Sequence, residues 1–300
     1  MNTHNPKINP STTMDAVTLR VGDLENMSTY YASILSLEPI EERARGRQVH
    51  RVLGRNGVPL LRLIGTPDLP PVRQNQAGLY HTAFLFESQE SLAATVYRTA
   101  QDPRSSFAGS SDHLVSEAFY FTDPEGNGIE LYVDRPRESW VYGPQGNVDM
   151  TTVHLDPNVY LSQHLQESVL ESTDVLPASI GHVHLQVGSV EQAREFYVDR
   201  LGFDLTNAFP GALFASAGGY HHHVAMNTWN SGGAGPRAAT LGLADVAVTV
   251  PLRSDLDALV DRLRGWEFAD NGTSVTTADP WGTQLSISLP ETSAEELLER

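Results

Sequence analysis

The sequence holds no cysteine. That excludes disulfides, thiolate nucleophiles, iron–sulfur clusters and cysteine-ligated zinc, so any metal must sit on His, Asp or Glu. Positive charge is scarce: 20 Lys and Arg stand against 37 Asp and Glu, a formal net charge of −17. This is the wrong sign for a protein that follows nucleic acid phosphates or an anionic membrane surface. No run approaches the roughly 18 uninterrupted apolar residues of a membrane-spanning helix, and the start, MNTHNPKINPSTTMDAV, lacks the apolar stretch of a signal peptide. The expectation is a cytoplasmic protein without nucleic acid or membrane partners. Its expected partners are small molecules and other copies of itself. Histidine is missing from one region as well: none of the 11 lies beyond His223.

What is present organises itself as a repeat. A length of 300 residues suits two domains of about 150 residues each. The stretch AVTLRVGDLENMSTYYASILSL from Ala16 aligns without a gap against HVHLQVGSVEQAREFYVDRLGF from His182. Val17, Leu19, Val21, Gly22, Glu25, Tyr31 and Leu35 recur as Val183, Leu185, Val187, Gly188, Glu191, Tyr197 and Leu201. Each copy reads as an alternating strand, a polar turn and an amphipathic helix. A weaker pair aligns GLYHTAFLFESQESL from Gly78 with GLADVAVTVPLRSDL from Gly242, with helices near Gln89–Ala100 and Asp255–Arg264. These two segments end alike, FTDPEGNGIELYV against TADPWGTQLSISL, an Asp-Pro turn feeding a strand.

The chain therefore divides into four units at 14–70, 78–136, 178–230 and 239–290. Residues 1–13 are expected to be disordered. Residues 137–177 read as a linker that wraps a domain, with a short helical run near Val159–Ser172, and the tail SAEELLER as a short polar helix. The glycine-rich SGGAGPRAA at 231–239 lacks the Lys-Ser/Thr ending of a phosphate loop and reads as a second linker.

A strand–helix–three-strand unit repeated four times, opened by G-x-x-H and closed by D-P-x-G-N-x-x-E, resembles the vicinal oxygen chelate superfamily of glyoxalase I, bleomycin-resistance proteins and type I extradiol dioxygenases. The resemblance covers about 14–136 and 178–290. It implies an α+β fold of four βαβββ modules paired into two half-open barrels, with metal ligands on the first and last strand of each unit. The first-strand positions are Ala16, His81, His182 and Asp245; the last-strand positions are Leu61 or Arg62, Glu130, the His221–His222–His223 run, and Ser286. Ligand types thus gather in units two and three. Pairing consecutive units would split them, whereas pairing two with three and one with four gives one barrel His81, His182 and Glu130. Two histidines and one carboxylate are the facial triad of non-haem Fe(II) oxygenases.

Within that superfamily the sequence resembles the catechol 2,3-dioxygenase-like type I extradiol dioxygenases in particular. The resemblance implies further roles: Tyr120, ten residues before Glu130, and His113 before it hold the substrate, and His222, within FASAGGYHHHVAMN, is the acid–base group. Strand alternation would turn His221 and His223 one way and His222 the other. The implied function is an Fe(II)-dependent extradiol ring-cleaving dioxygenase of aromatic catabolism, with Mn(II) as a substitute metal, O2 as co-substrate and a catechol or hydroquinone as substrate. The alternatives are a glyoxalase I-like isomerase or lyase, which would want a fourth ligand from unit three, and a non-catalytic binding protein of the resistance type. His184 is read as structural, Asp245 as holding no metal, and His4, His50, His154 and His164 as solvent or linker residues. Trp229, Asn227 and Phe119 are the expected contributors to the pocket wall.

Overall fold

The computed structural model of the chain describes residues 7–73, 75–144, 146–172, 176–290 and 297–298. Unit one runs β1 (Thr13–Val21), α1 (Leu24–Leu35), β2 (Glu38–Arg45), β3 (Gln48–Arg55) and β4 (Val58–Gly65). Unit two runs β5 (Gly78–Phe86), α2 (Gln89–Gln101), β6 (Ser106–Asp112), β7 (Ser116–Thr122) and β8 (Gly128–Asp134). After it come β9 (Val153–His154), α3 (Pro157–His164) and α4 (Glu167–Glu171). Unit three runs β10 (Ala178–Gln186), α5 (Val190–Arg194), β11 (Asp204–Phe209), β12 (Ala212–Ser216) and β13 (Val224–Asn227), its helix ending in a π-turn over Glu195–Arg200. Unit four runs β14 (Gly242–Thr249), α6 (Arg253–Arg262), β15 (Phe268–Asp270), β16 (Ser274–Ala278) and β17 (Gln284–Ser288). The architecture is α+β, four βαβββ units.

The strands form two open sheets, in the orders β15-β16-β17-β14-β1-β4-β3-β2 and β11-β12-β13-β10-β5-β8-β7-β6-β9. Units one and four share the first sheet, units two and three the second. At each centre the two opening strands run antiparallel, β1 with β14 and β5 with β10. Each opening strand also pairs in parallel with the last strand of its own unit, as β5 does with β8. No helix among the described residues is long and apolar enough to cross a membrane.

Period-two alternation assigns the faces. Val17, Leu19, Phe84, Phe86, Phe119, Phe121, Ile129, Leu131, Val183 and Leu185 point into one shared core with the buried faces of the helices. Burying each of these side chains contributes roughly 1.5–3 kcal/mol. The intervening residues Tyr120, Glu130, Tyr132, His182 and His184 stand on the opposite face of the second sheet. In the first sheet the equivalent face carries Ala16 and Val52, which pack with Leu297 and Leu298, and Arg62, which donates to Thr18 Oγ1 and to the Leu297 carbonyl.

The Asp-Pro turns bind units together in pairs. Asp123 accepts from Tyr31 OH of α1 at 2.8 Å, from the Glu125 and Asn127 amides at 2.9 and 2.8 Å, and from Asn127 Nδ2 at 2.8 Å. Asp279 repeats this with Tyr197 OH and the Trp281 and Thr283 amides. Both turns place a glycine, Gly126 or Gly282, at φ +85°, where a side chain is strained. Asp123→Ala would strand all four donors, and a loss of about 3 kcal/mol or more in unfolding free energy is expected from denaturant titration. A loss under about 0.5 kcal/mol would show that the turn does not bind the units.

Several segments differ from the sequence expectation. In place of disorder through residue 13, Ile8 is buried and its amide donates to Gly202 O at 2.9 Å; residues 1–6, with His4, lie outside the described residues. Only Leu297 and Leu298 of the tail are described, as a helical turn. The 137–177 segment is more than a connector. β9 extends the second sheet by pairing with β6, and Trp140, Val148 and Met150 form a small core with Val115. His50 is buried on β3 and not a solvent residue.

Candidate metal centre and cavity

On the polar face of the second sheet, β5, β8 and β10 bring three side chains to one point. His81 Nε2 lies 2.8 Å and His182 Nε2 3.0 Å from the same oxygen, Glu130 Oε2. All three residues are buried. The His182 approach has hydrogen-bond geometry. The His81 approach does not, and His81 Nε2 has no hydrogen-bond partner. A buried imidazole nitrogen aimed at a carboxylate without bonding it is costly unless something else satisfies it. A divalent cation shared by the three atoms would do so, and the donor set suits one: two imidazoles and one carboxylate. His182 Nδ1 is also buried without a hydrogen-bond partner.

The protonation states match ligand duty. Burial pushes His182 down to about 4, outweighing the pull of Glu130. Burial works against charge on Glu130, but His182 and His81 hold its carboxyl well below the usual range. Near neutral pH the site is therefore a carboxylate beside a neutral His182 imidazole, the forms that bind metal.

His113, Tyr120 and His222 lie around the same cavity, of about 740 Å3, which His81 and Glu130 also line. Tyr120 OH stands 2.8 Å from His113 Nε2, while His113 Nδ1 stands 2.7 Å from Thr151 O. A carbonyl only accepts, so Nδ1 carries the proton and Tyr120 donates to Nε2. Burial, then Glu130, pushes the Tyr120 hydroxyl well above the ordinary phenol range, keeping it protonated.

His222 faces the cavity and packs on His182, ring centroids 4.0 Å apart. Behind it His221 Nδ1 meets His222 Nδ1 at 2.8 Å, and His221 Nε2 meets Asp134 Oδ1 at 3.0 Å. The carboxylate only accepts, so His221 Nε2–H donates to Asp134, His221 Nδ1 accepts from His222 Nδ1–H, and His222 Nε2 keeps its lone pair free. Burial, then His182, lowers His222 well below the ordinary imidazole range. Asp134 also accepts from Tyr220 OH at 2.9 Å, and Tyr220 OH meets Tyr132 OH at 2.8 Å. Gly181 makes room for this chain, since a Cβ there would stand 1.7 Å from Tyr132 OH.

A second cluster, His182, His221 and His222, also brings three donor atoms within 4.8 Å of one another. Both nitrogens of His221 are already hydrogen-bonded, so that cluster is left with two histidines and no carboxylate, and the His81–His182–Glu130 set is the better match to a divalent metal.

Register corrects two assignments. The three-histidine run precedes β13, in a bend, and strand alternation does not apply to it. His184 pairs with Ala225 as Ala83 pairs with Glu130, so Ala225 occupies the place of Glu130 in unit three and offers no ligand. In the first sheet Thr18 pairs with Arg62 and Ala247 with Ser286, and Ser286 Oγ donates to Asp245 at 2.7 Å.

His184, read as structural, lines the cavity and has Nε2 3.0 Å from Asn227 Nδ2. Asn227 thus supports the wall from behind, Trp229 lines it directly, and Phe119 points into the core. The sequence reading missed Asp134 and Tyr80 and the wall contributed by Met150 and Thr151. The only hint was the offset of two residues from Tyr132 to Asp134, which keeps both on Glu130's face. His154 is exposed, and His164 closes α3 against Tyr160, rings 4.6 Å apart.

Two histidines away from the proposed ligands set an acid limit on the fold. His223 Nδ1 accepts from the Ala217 amide and meets Ser216 Oγ, and burial pushes it down to about 3. His50 is lowered to about 4 by burial, then by Arg62 and Arg45. Unfolded imidazoles titrate near 6.5, so below that pH the unfolded chain binds more protons. Stability is full above about pH 6.5 and falls as pH drops towards 4, by up to about 1.4 kcal/mol per pH unit for each fully buried imidazole. Urea unfolding at pH 7 and pH 5 should show the decline; equal stability at both would contradict it.

The sequence profile of the Glyoxalase/Bleomycin resistance protein/Dioxygenase superfamily matches residues 13–131 and 179–283. The chain is 33% identical over 276 residues to a catechol-2,3-dioxygenase of Bacillus subtilis, covering 87% of this chain and 92% of that protein. It is 27% identical over 153 residues to biphenyl-2,3-diol 1,2-dioxygenase 2 of Rhodococcus globerulus, 47% of this chain and 75% of that one. Glyoxalase I from Zea mays has a similar fold, with a TM-score of 0.59 at 15% identity over 96% of this chain and 95% of that one. With the profile spanning most of all four βαβββ units, the chain belongs to the glyoxalase, bleomycin resistance protein and dioxygenase superfamily.

Proposed function

We propose that the protein is an Fe(II)-dependent extradiol dioxygenase that opens the ring of an aromatic diol with O2. The observation that carries this reading is the convergence of His81, His182 and Glu130 beside a cavity that also holds Tyr120, His113 and His222. Likeness to a catechol-2,3-dioxygenase over most of both chains supports it.

His81, His182 and Glu130 would hold the iron(II), which would supply the electron transfer between diol and dioxygen that imidazole and carboxylate groups lack. The chain's own residues handle binding and protons. Tyr120 and His113, already bonded to each other, orient the diol oxygens. His222 Nε2, the unprotonated nitrogen, would take a proton from a diol hydroxyl and return it as the ring opens. Both oxygen atoms enter the product, a ring-opened semialdehyde acid. Units two and three form the working half and units one and four the scaffold, in a protein acting in the cytoplasm.

A glyoxalase-like isomerase would draw a fourth ligand from unit three, and Ala225 weighs against it. The test is anaerobic loading with Fe(II), addition of a panel of catechols and hydroquinones, then air. Yellow ring-fission absorbance with at least one diol is expected; none across the panel, with iron bound, would overturn the proposal.

A further inference from the structure

The walls of the cavity carry information about the substrate beyond its diol. At about 740 Å3 the space falls among clefts of roughly 300–1,000 Å3 that enclose drug-sized ligands, well beyond what one six-membered ring fills. Away from the metal triad one side of the lining is aromatic, with Tyr80, Trp229, Phe209 and Phe214, and another carries Ser110, Ser111 and Thr151 beside Met150. Tyr80 and Trp229 meet edge to face at 5.5 Å, and Phe209 meets Phe214 at 5.7 Å. Trp229 is 53% exposed and Phe209 43%. Two large aromatics therefore stand half-exposed on the lining of one cavity, where an apolar group could cover them.

No lysine or arginine is among the described residues that line this cavity. Arg135, which follows β8, is bound to Asp112 at 2.7 Å and Glu117 at 3.0 Å. A carboxylate on the substrate would lose its water here without gaining a cation, a cost of several kcal/mol in an apolar setting. The net charge of −17 repels anions on approach as well.

Resting on the diol reading above, we infer that the site selects neutral diols bearing an apolar aryl or alkyl substituent and discriminates against carboxylated ones, with Trp229 and Phe209 covering the substituent. The substituent removes the exposed aromatic surface from water, which is the source of its added affinity.

The test is equilibrium binding to the Fe(II)-loaded protein without oxygen, where no turnover occurs, read by quenching of tryptophan fluorescence. Three probes separate the contributions: catechol, 3-phenylcatechol and 3,4-dihydroxybenzoate. The expected result is 3-phenylcatechol binding at least about tenfold more tightly than catechol, and 3,4-dihydroxybenzoate at least about tenfold more weakly. Trp229→Ala should erase most of the phenyl advantage, followed by calorimetry because the variant loses a fluorophore. Trp229→Arg should narrow or reverse the carboxylate penalty. Carboxylate binding as tight as catechol, or no gain from the phenyl group, overturns the inference even if a variant fails to fold, because the wild-type comparison decides it. Failure of the dioxygenase reading shows separately, as a diol that binds but is not opened in air.

Discussion

His81→Ala is expected to abolish iron loading: after anaerobic incubation with Fe(II) and desalting, the variant should retain little metal, with affinity down by more than about 100-fold. Loss of an outer-shell partner typically costs 10–100-fold, and His81 is proposed as a direct ligand. The imidazole is also the one whose Nε2 points at Glu130 without a hydrogen bond, so its removal should not unfold the chain by breaking a bond. A cavity-lining residue replaced by alanine leaves the remaining His182–Glu130 hydrogen bond at 3.0 Å in place. The variant should therefore keep a native thermal transition in the metal-free state. Stoichiometric iron in folded His81→Ala would refute the ligand assignment.

His222→Phe is expected to separate metal binding from chemistry. The proposed ligands are untouched, so iron content should match the wild type, while kcat falls by about 10²–10⁴, the usual contribution of a positioned acid–base group. That range is about 3–5 kcal/mol of transition-state stabilisation. His222 packs on His182 at 4.0 Å, and phenylalanine preserves that contact while deleting the proton site at Nε2. A variant with wild-type turnover would remove His222 from the mechanism. One that loses iron would move it into the ligand set, alongside His221.

The two outcomes bear on different parts of the site, and those parts were not equally visible beforehand. The four units could be read because each strand faces a core on one side, so apolar residues recur at every second position and the Ala16 and His182 segments keep the same pattern. His81, His182 and Glu130 stood out because they occupy repeat-defined places where the other units carry Ala16, Asp245, Arg62 and Ser286. Sheet sharing by units two and three puts these three places on one face. Tyr120 and His113 are implied by the resemblance to extradiol dioxygenases, and the regular pairing of β7 with β8 sets Tyr120 opposite Glu130 while His113 lies in the turn ahead of β7.

What escaped depends on backbone that leaves the strand pattern. The three-histidine run lies in a bend ahead of β13, so no periodicity states which ring meets the cavity; Asp134 and His222 decide it by bonding His221 from both sides. Ala225 was hidden by the same offset, since only the pairing of β10 with β13 tells which residue lies opposite His184. Met150 and Thr151 belong to a segment whose composition resembles a linker, yet β9 clamps it to β6 and Thr151 O fixes the His113 ring. His50 reads as an ordinary polar residue of an exposed hairpin strand. It is buried on the same face as Val52, which packs with Leu297 and Leu298, far away in sequence.

The central claim is that one metal ion sits between His81, His182 and Glu130. The most direct measurement is anomalous diffraction at the iron edge from crystals of the Fe(II)-loaded protein grown without oxygen. The account predicts a single strong peak within bonding distance of both Nε2 atoms and the Glu130 carboxylate, with His222 off the metal. A peak on the His182, His221 and His222 cluster, or none at Glu130, would contradict it.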